Sequence, residues 1–345
     1  MINLENSTKD FETIKFTGTV RDYFGIWISN LILTIITFGI YSAWAKVRRE
    51  RFFKNHTKIF DKNFGYHASG GQIFKGRLIA FLILIAFNVI STIMPILGGI
   101  LGIVLIFILP IILNKSMKFS ARVTSYRNIR FNWNGKYWKT FWFFLAAPFL
   151  GLLSLGLLTP LISKSYYSYF ARSHSYGTSF FSSNPKVSHF YIAFLIGGIL
   201  PTIIISCLFI LVAYMTNGFN FNYLEIVYTL PAIIIYTLIF CMIFVYKTLC
   251  RNILLRSLVL KDVIGFNSNI NPLTFIWISL SNLVLILISL GLLIPLAKVR
   301  MYKYLSSCTM LVANKNMDGF IDEMYEKQSS VGEEFAELEG IEVSI

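Results

Sequence analysis

Six long tracts without a charged side chain constrain this chain more than any other feature. Residues 78–114 are a run of 37 positions that contains no Asp, Glu, Lys or Arg. A helix needs about 20 apolar residues to cross the hydrocarbon core of a bilayer. The sequence therefore predicts several transmembrane helices. The other uncharged tracts are residues 24–45, 140–163, 190–224, 226–246 and 272–297.

The overall composition favours a membrane protein over a soluble one. The chain is 55% hydrophobic and 14% charged, whereas a soluble domain carries about 25% charged residues. A soluble fold with six uncharged helices would expose large apolar patches. Residues 1–23 are polar and lack the short apolar core of a signal peptide, so we expect the first apolar tract to direct insertion. The predicted fold class is an all-α, polytopic transmembrane bundle.

The chain also contains an internal repeat. Residues 154–161 (SLGLLTPL) recur as residues 289–296 (SLGLLIPL), with seven of eight positions identical. An earlier copy surrounds Gly39, and counting from the glycine places Lys46 and Arg48 on Lys298 and Arg300. Such repeats are typical of polytopic membrane proteins. We predict a three-fold repeat of one helix plus a helical hairpin, over residues 16–114, 131–246 and 266–316.

This repeat gives about seven spans, with the repeat helices first, fourth and seventh. The hairpins are predicted over residues 78–114, with a bend at residues 95–99, and over residues 190–215 and 226–246. This seven-span topology places 20 Lys and Arg residues on one side of the membrane and 10 on the other. Because positive charge marks the cytoplasm, it places the amino terminus outside and the carboxyl terminus inside.

A competing topology makes the three repeat helices re-entrant. Every basic loop would then lie in the cytoplasm, and the uncharged hairpin turns would lie outside. This arrangement fits the positive-inside rule better, but it requires three half-membrane loops with buried backbone.

Three regions follow from these patterns: a polar segment at residues 1–23, a transmembrane domain at 24–316 and an acidic tail at 317–345. The tail contains nine Asp and Glu residues and one Lys. A segment of this composition is typical of a solvated, partly disordered tail. The alternative is that it folds back onto the basic cytoplasmic face.

Several motifs near the amino terminus occur together. They are Phe16-Thr17-Gly18, the segment from Gly39 to Arg48, Phe64-Gly65-Tyr66-His67-Ala68, and Phe74-Lys75-Gly76-Arg77. Together they resemble the YjgN family of bacterial inner-membrane proteins, whose function is unknown. The resemblance is strong over residues 16–80 and weaker beyond. It implies a multi-pass inner-membrane protein, and it supplies no activity and no catalytic residues.

The densest basic cluster surrounds Trp44. Such a cluster is typical of a membrane-interface anchor, with Trp at headgroup level and cations beyond it. The functional alternative is a pocket for an anionic lipid headgroup or an anionic solute. The predicted contact residues are Trp44, Lys46, Arg48, Arg51 and the repeat partners Lys298, Arg300 and Lys303.

Asn30 and Asn282 occupy equivalent repeat positions inside apolar tracts. The ordinary interpretation is hydrogen bonding between helices. The functional hypothesis is a shared intramembrane polar site. No Asp, Glu, Lys, Arg or His lies deep in a predicted span, which disfavours ion-coupled transport.

Two function hypotheses remain open. One is transport or translocation of a small or amphiphilic solute, and the other is a non-transporting module that binds anionic lipid or a protein partner through basic loops. No catalytic constellation, metal-ligand spacing or cofactor motif is recognisable, so we expect neither enzyme activity nor a cofactor. The basic residues are spread over loops, which disfavours nucleic acid as a partner.

Overall fold

In the part of the chain that the structure describes, eleven short strands form one antiparallel sheet, so the all-α prediction is wrong. The computed structural model describes residues 10–201, 203, 207, 242–261, 263–313, 319, 320 and 322–326. The strands are β1 Asp10–Thr13, β2 Lys15–Phe16, β3 Thr57–Ile59, β4 Lys62–Tyr66, β5 Thr124–Tyr126, β6 Ile129–Trp133, β7 His174–Tyr176, β8 Ser179–Ser183, β9 Leu258–Leu260, β10 Ile264–Ser268 and β11 Thr309–Ala313.

The sheet curls into a nearly closed, barrel-like ring. Its strand order runs β1-β11-β10-β9-β8-β7-β6-β5-β4-β3-β2, so its two ends are β1 and β2, which are neighbours in the chain. Ile14 joins them and donates its backbone N–H to the carbonyl of Thr309 at 3.0 Å. The hydrophobic core that the sheet surrounds includes Ile129, Leu260 and Met324, which are at most 2% exposed.

Helices fill the connections between the strand pairs. They are α1 Val20–Ile36, α2 Ser42–Asn55, α3 Gly70–Ile93, α4 Pro95–Arg122, α5 Tyr137–Phe141, α6 Ala147–Leu153, α7 Thr159–Ser173, α8 Val187–Phe194, α9 Pro272–Ile288 and α10 Ile294–Ser307. Two π-helical segments, Trp142–Ala146 and Leu195–Ile199, continue α5 and α8, and residues 242–257 are also helical.

All of these helical connections leave and re-enter the sheet at the same end. The strand register pairs Phe16 with Thr57, Tyr66 with Thr124, and Ser268 with Thr309. Since paired residues lie side by side, the helices attach at one rim and the tight strand turns lie at the opposite rim. We call these the helix rim and the turn rim.

The helices α3 and α4 form a long hairpin. Within the described residues, these two helices are the ones long and apolar enough to cross a membrane. Met94 separates them at the bend predicted from Pro95. Most of the second predicted hairpin, residues 190–215 and 226–246, lies outside the described residues.

The predicted repeat helices are not continuous, because each breaks at its glycine. Helices α1 and α2, α6 and α7, and α9 and α10 form three short hairpins around turns with two consecutive positive φ angles. In the first short hairpin these are Phe38 (48°) and Gly39 (90°), and Gly156 and Gly291 take the same place in the others (85° and 92°). A bundle of about seven spans is therefore not supported.

The predicted orientation of the two ends is also wrong. Asp10 pairs with Ala313 through β1 and β11, so the amino-terminal strand lies beside the last strand at the turn rim. An odd number of spans would have separated the two strands by a membrane. The competing topology with re-entrant repeat segments agrees with this pairing.

The first part of the predicted acidic tail packs against the sheet. In the helical segment 319–326, apart from residue 321, Phe320 and Met324 are 5% and 1% exposed. Lys261 pairs with Glu323 at 3.2 Å and lies over the ring of Phe320. This segment therefore folds back onto the apolar core of the sheet, whereas fold-back onto a basic cytoplasmic face stays a prediction. The division into three regions stays a prediction, since residues 1–9 and 327–345 lie outside the described chain.

We expect Gly39→Ala to lower the free energy of unfolding by about 1 kcal/mol, because an L-residue is strained at positive φ. An added Cβ at Gly39 meets nothing within 4 Å, so the cost is conformational rather than steric. Gly25→Ala is the matched control, since Gly25 lies in α1 and an added Cβ is equally unobstructed there. Thermal unfolding in detergent measures both. Equal stability of Gly39→Ala and wild type would contradict this account of the turn.

Candidate functional site

An asparagine and an arginine tie together the two helices of the first short hairpin. Asn30 is 8% exposed on α1. Its Nδ2 donates to the carbonyl of Ala45 at 3.4 Å, and its Oδ1 accepts from Arg48 Nη1 at 3.2 Å. The amide therefore bonds to both the backbone and a side chain of α2.

The third short hairpin repeats this arrangement. Asn282 is 6% exposed on α9. Its Nδ2 donates to the carbonyl of Ala297 at 3.1 Å, and Arg300 Nη1 donates to its Oδ1 at 3.4 Å. Arg300 also donates to Ser281 Oγ at 2.9 Å. Both predicted asparagines thus bind the predicted arginine of their own hairpin.

The shared polar site predicted from Asn30 and Asn282 is not formed by a direct contact. Within the described residues, no hydrogen bond joins one amide to the other. The first and third hairpins instead meet through apolar and aromatic side chains nearer the sheet. Tyr23 is 1% exposed there, and Phe53 and Val299 pack in the same cluster.

Arg48 lies within a group of polar and aromatic side chains at the tip of the first hairpin. Its Nη1 also donates to Tyr41 Oη at 3.3 Å. The rings of Tyr41 and Trp44 stack with centroids 6.2 Å apart. Arg48 itself is exposed, and a guanidinium has five N–H donors. Arg48 Nη1 makes the bonds to both Asn30 and Tyr41, and Nε and Nη2 carry further N–H donors.

Helix α3 places a second arginine beside the start of α2. Arg77 Nη1 donates to Ser42 Oγ at 2.6 Å, one residue from the Tyr41 that Arg48 contacts. The ring of Trp44 lies against Gly70, and its centroid is 5.7 Å from that of Phe74. Because Gly70 has no Cβ, α2 and α3 approach closely through the tryptophan. We call Arg48 and Arg77 the arginine pair.

The other predicted contact residues do not converge on the arginine pair through any contact in the described chain. Lys46 is half-buried on α2, whereas Arg51 and Lys303 are exposed on α2 and α10. Lys298 lies near Arg49 and Glu50: burial lowers its pKa first, the charge of Arg49 lowers it further, and Glu50 opposes both.

Sequence reasoning missed two residues of this region. Glu50 accepts hydrogen bonds from Arg49 at 3.1 and 3.3 Å. Burial lowers the pKa of nearby Lys54, and the charge of Glu50 offsets part of that lowering. Glu50 could have been found as the one acid among the basic residues of stretch 46–54. Arg77 could have been found because it immediately precedes the uncharged run that begins at Leu78.

Metal binding has no support in the described part of the chain. No group of three or more His, Cys, Asp and Glu residues there could hold an ion. The described cysteines, Cys207, Cys250 and Cys308, are free, and Cys241 lies outside the described residues. The chemistry that the site offers is hydrogen bonding and charge attraction to an anion.

A double-mutant cycle should reveal the Asn–Arg tie. We expect Asn282→Ala and Arg300→Ala to couple by about 1–2 kcal/mol, because either change removes the same charge-assisted hydrogen bond. The control cycle combines Asn282→Ala with Arg48→Ala, which belongs to the other hairpin and should be additive. Chemical denaturation in detergent measures the four free energies. Additivity in the Asn282/Arg300 cycle would contradict the tie.

The chain is similar to several known bacterial proteins. A family model described as a bacterial protein of unknown function (DUF898) matches residues 11–338. The chain is 32% identical over 152 residues to inner membrane protein YjgN of Salmonella typhimurium, and 31% identical over 156 residues to that of Escherichia coli K12. These matches cover 44% and 43% of this chain. The chain spans 38% of the length of either relative. No solved structure matches the chain.

Proposed function

Since the chain belongs to the DUF898 family of bacterial proteins of unknown function, we propose that it is an inner-membrane protein that binds anionic lipid headgroups from the cytoplasmic side. The observation that carries the proposal is the arginine pair, held beside Trp44 where the short hairpin meets the long one. The relatives are named inner membrane proteins, and the expected resemblance to the YjgN family is confirmed.

The long hairpin supports membrane insertion. Its helices α3 and α4 are 24 and 28 residues long, and about 20 are sufficient to span the hydrocarbon. Apolar side chains on these helices face outward, including Ile79, Phe81 and Ile96 at 59–85% exposure. A surface of this kind is stable in lipid rather than in water. We therefore propose a multi-pass protein with the sheet on one side of the membrane.

The position of the basic residues favours the cytoplasm for the sheet. Every connection between the sheet and a helix begins and ends at the helix rim, so the loops with most of the Lys and Arg residues share one side. Positively charged loops remain in the cytoplasm. The bend of the long hairpin at Met94 would then reach the other side.

The tips of the short hairpins support shallow insertion into the near leaflet. Phe38, Leu155 and Leu290 are 98%, 92% and 94% exposed. Arg77 touches Ser42 next to the first tip, and the uncharged run begins at Leu78. The edge of the hydrocarbon would therefore pass close to Ser42, with the apolar tip beyond it.

This depth would place the arginine pair at headgroup level. Arg48 is six residues from Ser42, which is about 9 Å along a helix at 1.5 Å per residue. Trp at the interface with cations beside it is the usual membrane anchor, and arginine binds phosphate through paired N–H donors. A lipid phosphate near Tyr41 could accept bonds from Arg48 and Arg77 together.

The transport hypothesis has less support. It would use Asn30 and Asn282 as a common polar site for a solute. Each amide instead bonds to Ala45 or Ala297 and to the arginine of its own hairpin. A headgroup needs no such central site, so lipid binding is the function that the geometry favours.

A labelling experiment tests the sidedness. In a cysteine-free background, we expect Ser182→Cys and Asn267→Cys to resist a membrane-impermeant maleimide in intact cells, because the proposed topology puts the sheet in the cytoplasm. Both positions are exposed on strands, so they should react once the reagent can enter. Met94→Cys, at the bend of the long hairpin, should react. Lys62→Cys is the protected control and should react after the cells are opened. Labelling of positions 182 and 267 from outside would contradict a one-sided sheet.

A lipid titration tests the binding site. We expect the purified full chain in detergent to bind fluorescent phosphatidylglycerol more tightly than phosphatidylcholine. Arg48→Gln and Arg77→Gln should each weaken phosphatidylglycerol binding about tenfold, the effect of losing one charged hydrogen bond. Arg172→Gln is the control, since Arg172 is an exposed arginine at the end of α7. Equal affinity for the two lipids, or unchanged affinity in both variants, would reject the site.

A further inference from the structure

A cavity runs along strands β4 and β5, from the turn rim at Lys62 and Asn128 toward the helix rim at His67. Its volume is about 670 Å³, within the range of 300–1,000 Å³ that is usual for small-molecule sites. Strands β4 and β5 and their turns line one side, and the carboxyl-terminal helical segment lines the other. The cavity contains none of the residues that the proposed lipid site uses.

The floor of the cavity is a set of polar groups on one face of two paired strands. Asn63, Gly65 and His67 alternate along and just beyond β4, so they share a face, and Gly65 pairs with Ser125 on β5. His67 Nε2 and Ser125 Oγ are 2.7 Å apart. Donors from both strands are thus fixed by backbone pairing rather than by mobile loops.

The glycine makes this arrangement possible. A Cβ at Gly65 would lie 2.5 Å from Ser125 Oγ and 2.9 Å from His67 Nε2. Any larger residue would therefore displace the His67–Ser125 pair. Tyr66, the next residue, points to the other face, where it is 9% exposed and packs in an apolar cluster.

Positive charge dominates the walls. Lys62 and Arg127 line the cavity with one carboxylate, that of Asp322. Within the described chain, Lys62 forms no ion pair, so its ammonium group is available to an anion. Asn63 and Asn128 add amide groups at the same rim. The combination suits a phosphate together with hydroxyl groups that could donate to Asp322.

An aromatic ring completes the opposite wall. Tyr325 is 54% exposed and lines the cavity. Its helix is held in place by Met324, which accepts hydrogen bonds at Sδ from Ser179 (3.1 Å) and Thr178 (3.4 Å). A partly exposed ring on an anchored segment is a platform on which a base can stack.

We propose that this cavity binds a nucleoside monophosphate, with the phosphate at Lys62 and Arg127, the ribose hydroxyls near Asp322 and the base against Tyr325. The site lies on the sheet, so it would face the same compartment as the strand turns. It does not depend on lipid binding and would survive the failure of that proposal.

Isothermal titration of the purified full chain in detergent tests the proposal. We expect saturable binding of adenosine monophosphate, weaker binding of ribose 5-phosphate, and no binding of adenosine. Lys62→Gln should weaken adenosine monophosphate binding at least tenfold and leave the melting temperature unchanged, since Lys62 is exposed. Tyr325→Ala should weaken adenosine monophosphate binding but not ribose 5-phosphate binding.

Lys186→Gln is the matched control, because Lys186 is an exposed lysine that does not line the cavity. Its binding should equal that of the wild type. Absence of saturable binding by adenosine monophosphate would overturn the proposal. Equal binding by wild type and Lys62→Gln would overturn it as well, as would adenosine binding as tightly as its phosphate.

Discussion

Closure of the sheet is the constraint on which the other features depend. The segment 10–16 pairs on one side with β11 and on the other with β3, and strands nearly 300 positions apart in the chain become neighbours. Antiparallel register then places every helical connection at the helix rim. Closure also leaves few free strand edges, which are otherwise a site for aggregation.

The short hairpins show how a local rule and a polar contact combine. A turn with left-handed backbone at Gly39, Gly156 or Gly291 reverses the helix. In the first and third short hairpins, the buried Asn30 and Asn282 each bond to the opposite helix of their own hairpin. Unpaired polar groups are costly away from water. The amides therefore hold two helices together while their apolar tips remain exposed.

The candidate site could be predicted in part. Trp44, Arg48 and Asn30 were recognisable as a basic and polar pattern beside an apolar tract, but their mutual contact depends on the reversal at Gly39, which sequence reasoning interpreted as a continuous span. Arg77 reaches Ser42 across 35 positions, a pairing that neither periodicity nor charge counting contains. The cavity along β4 and β5 also depends on tertiary packing, between strand β4 and residues 322–325.

The sequence by itself determined the apolar and repeated character of the chain: the uncharged runs, the basic loops and the repeated glycine segments are all visible in the order of residues. Tertiary structure decided that the glycine segments turn back rather than continue as single helices, and that the loops form a sheet. The strands are two to five residues long, too short for an alternating pattern to stand out. Each tight strand pair gains its outer partners from distant parts of the chain, and strand preference is set by such neighbours rather than by the local sequence.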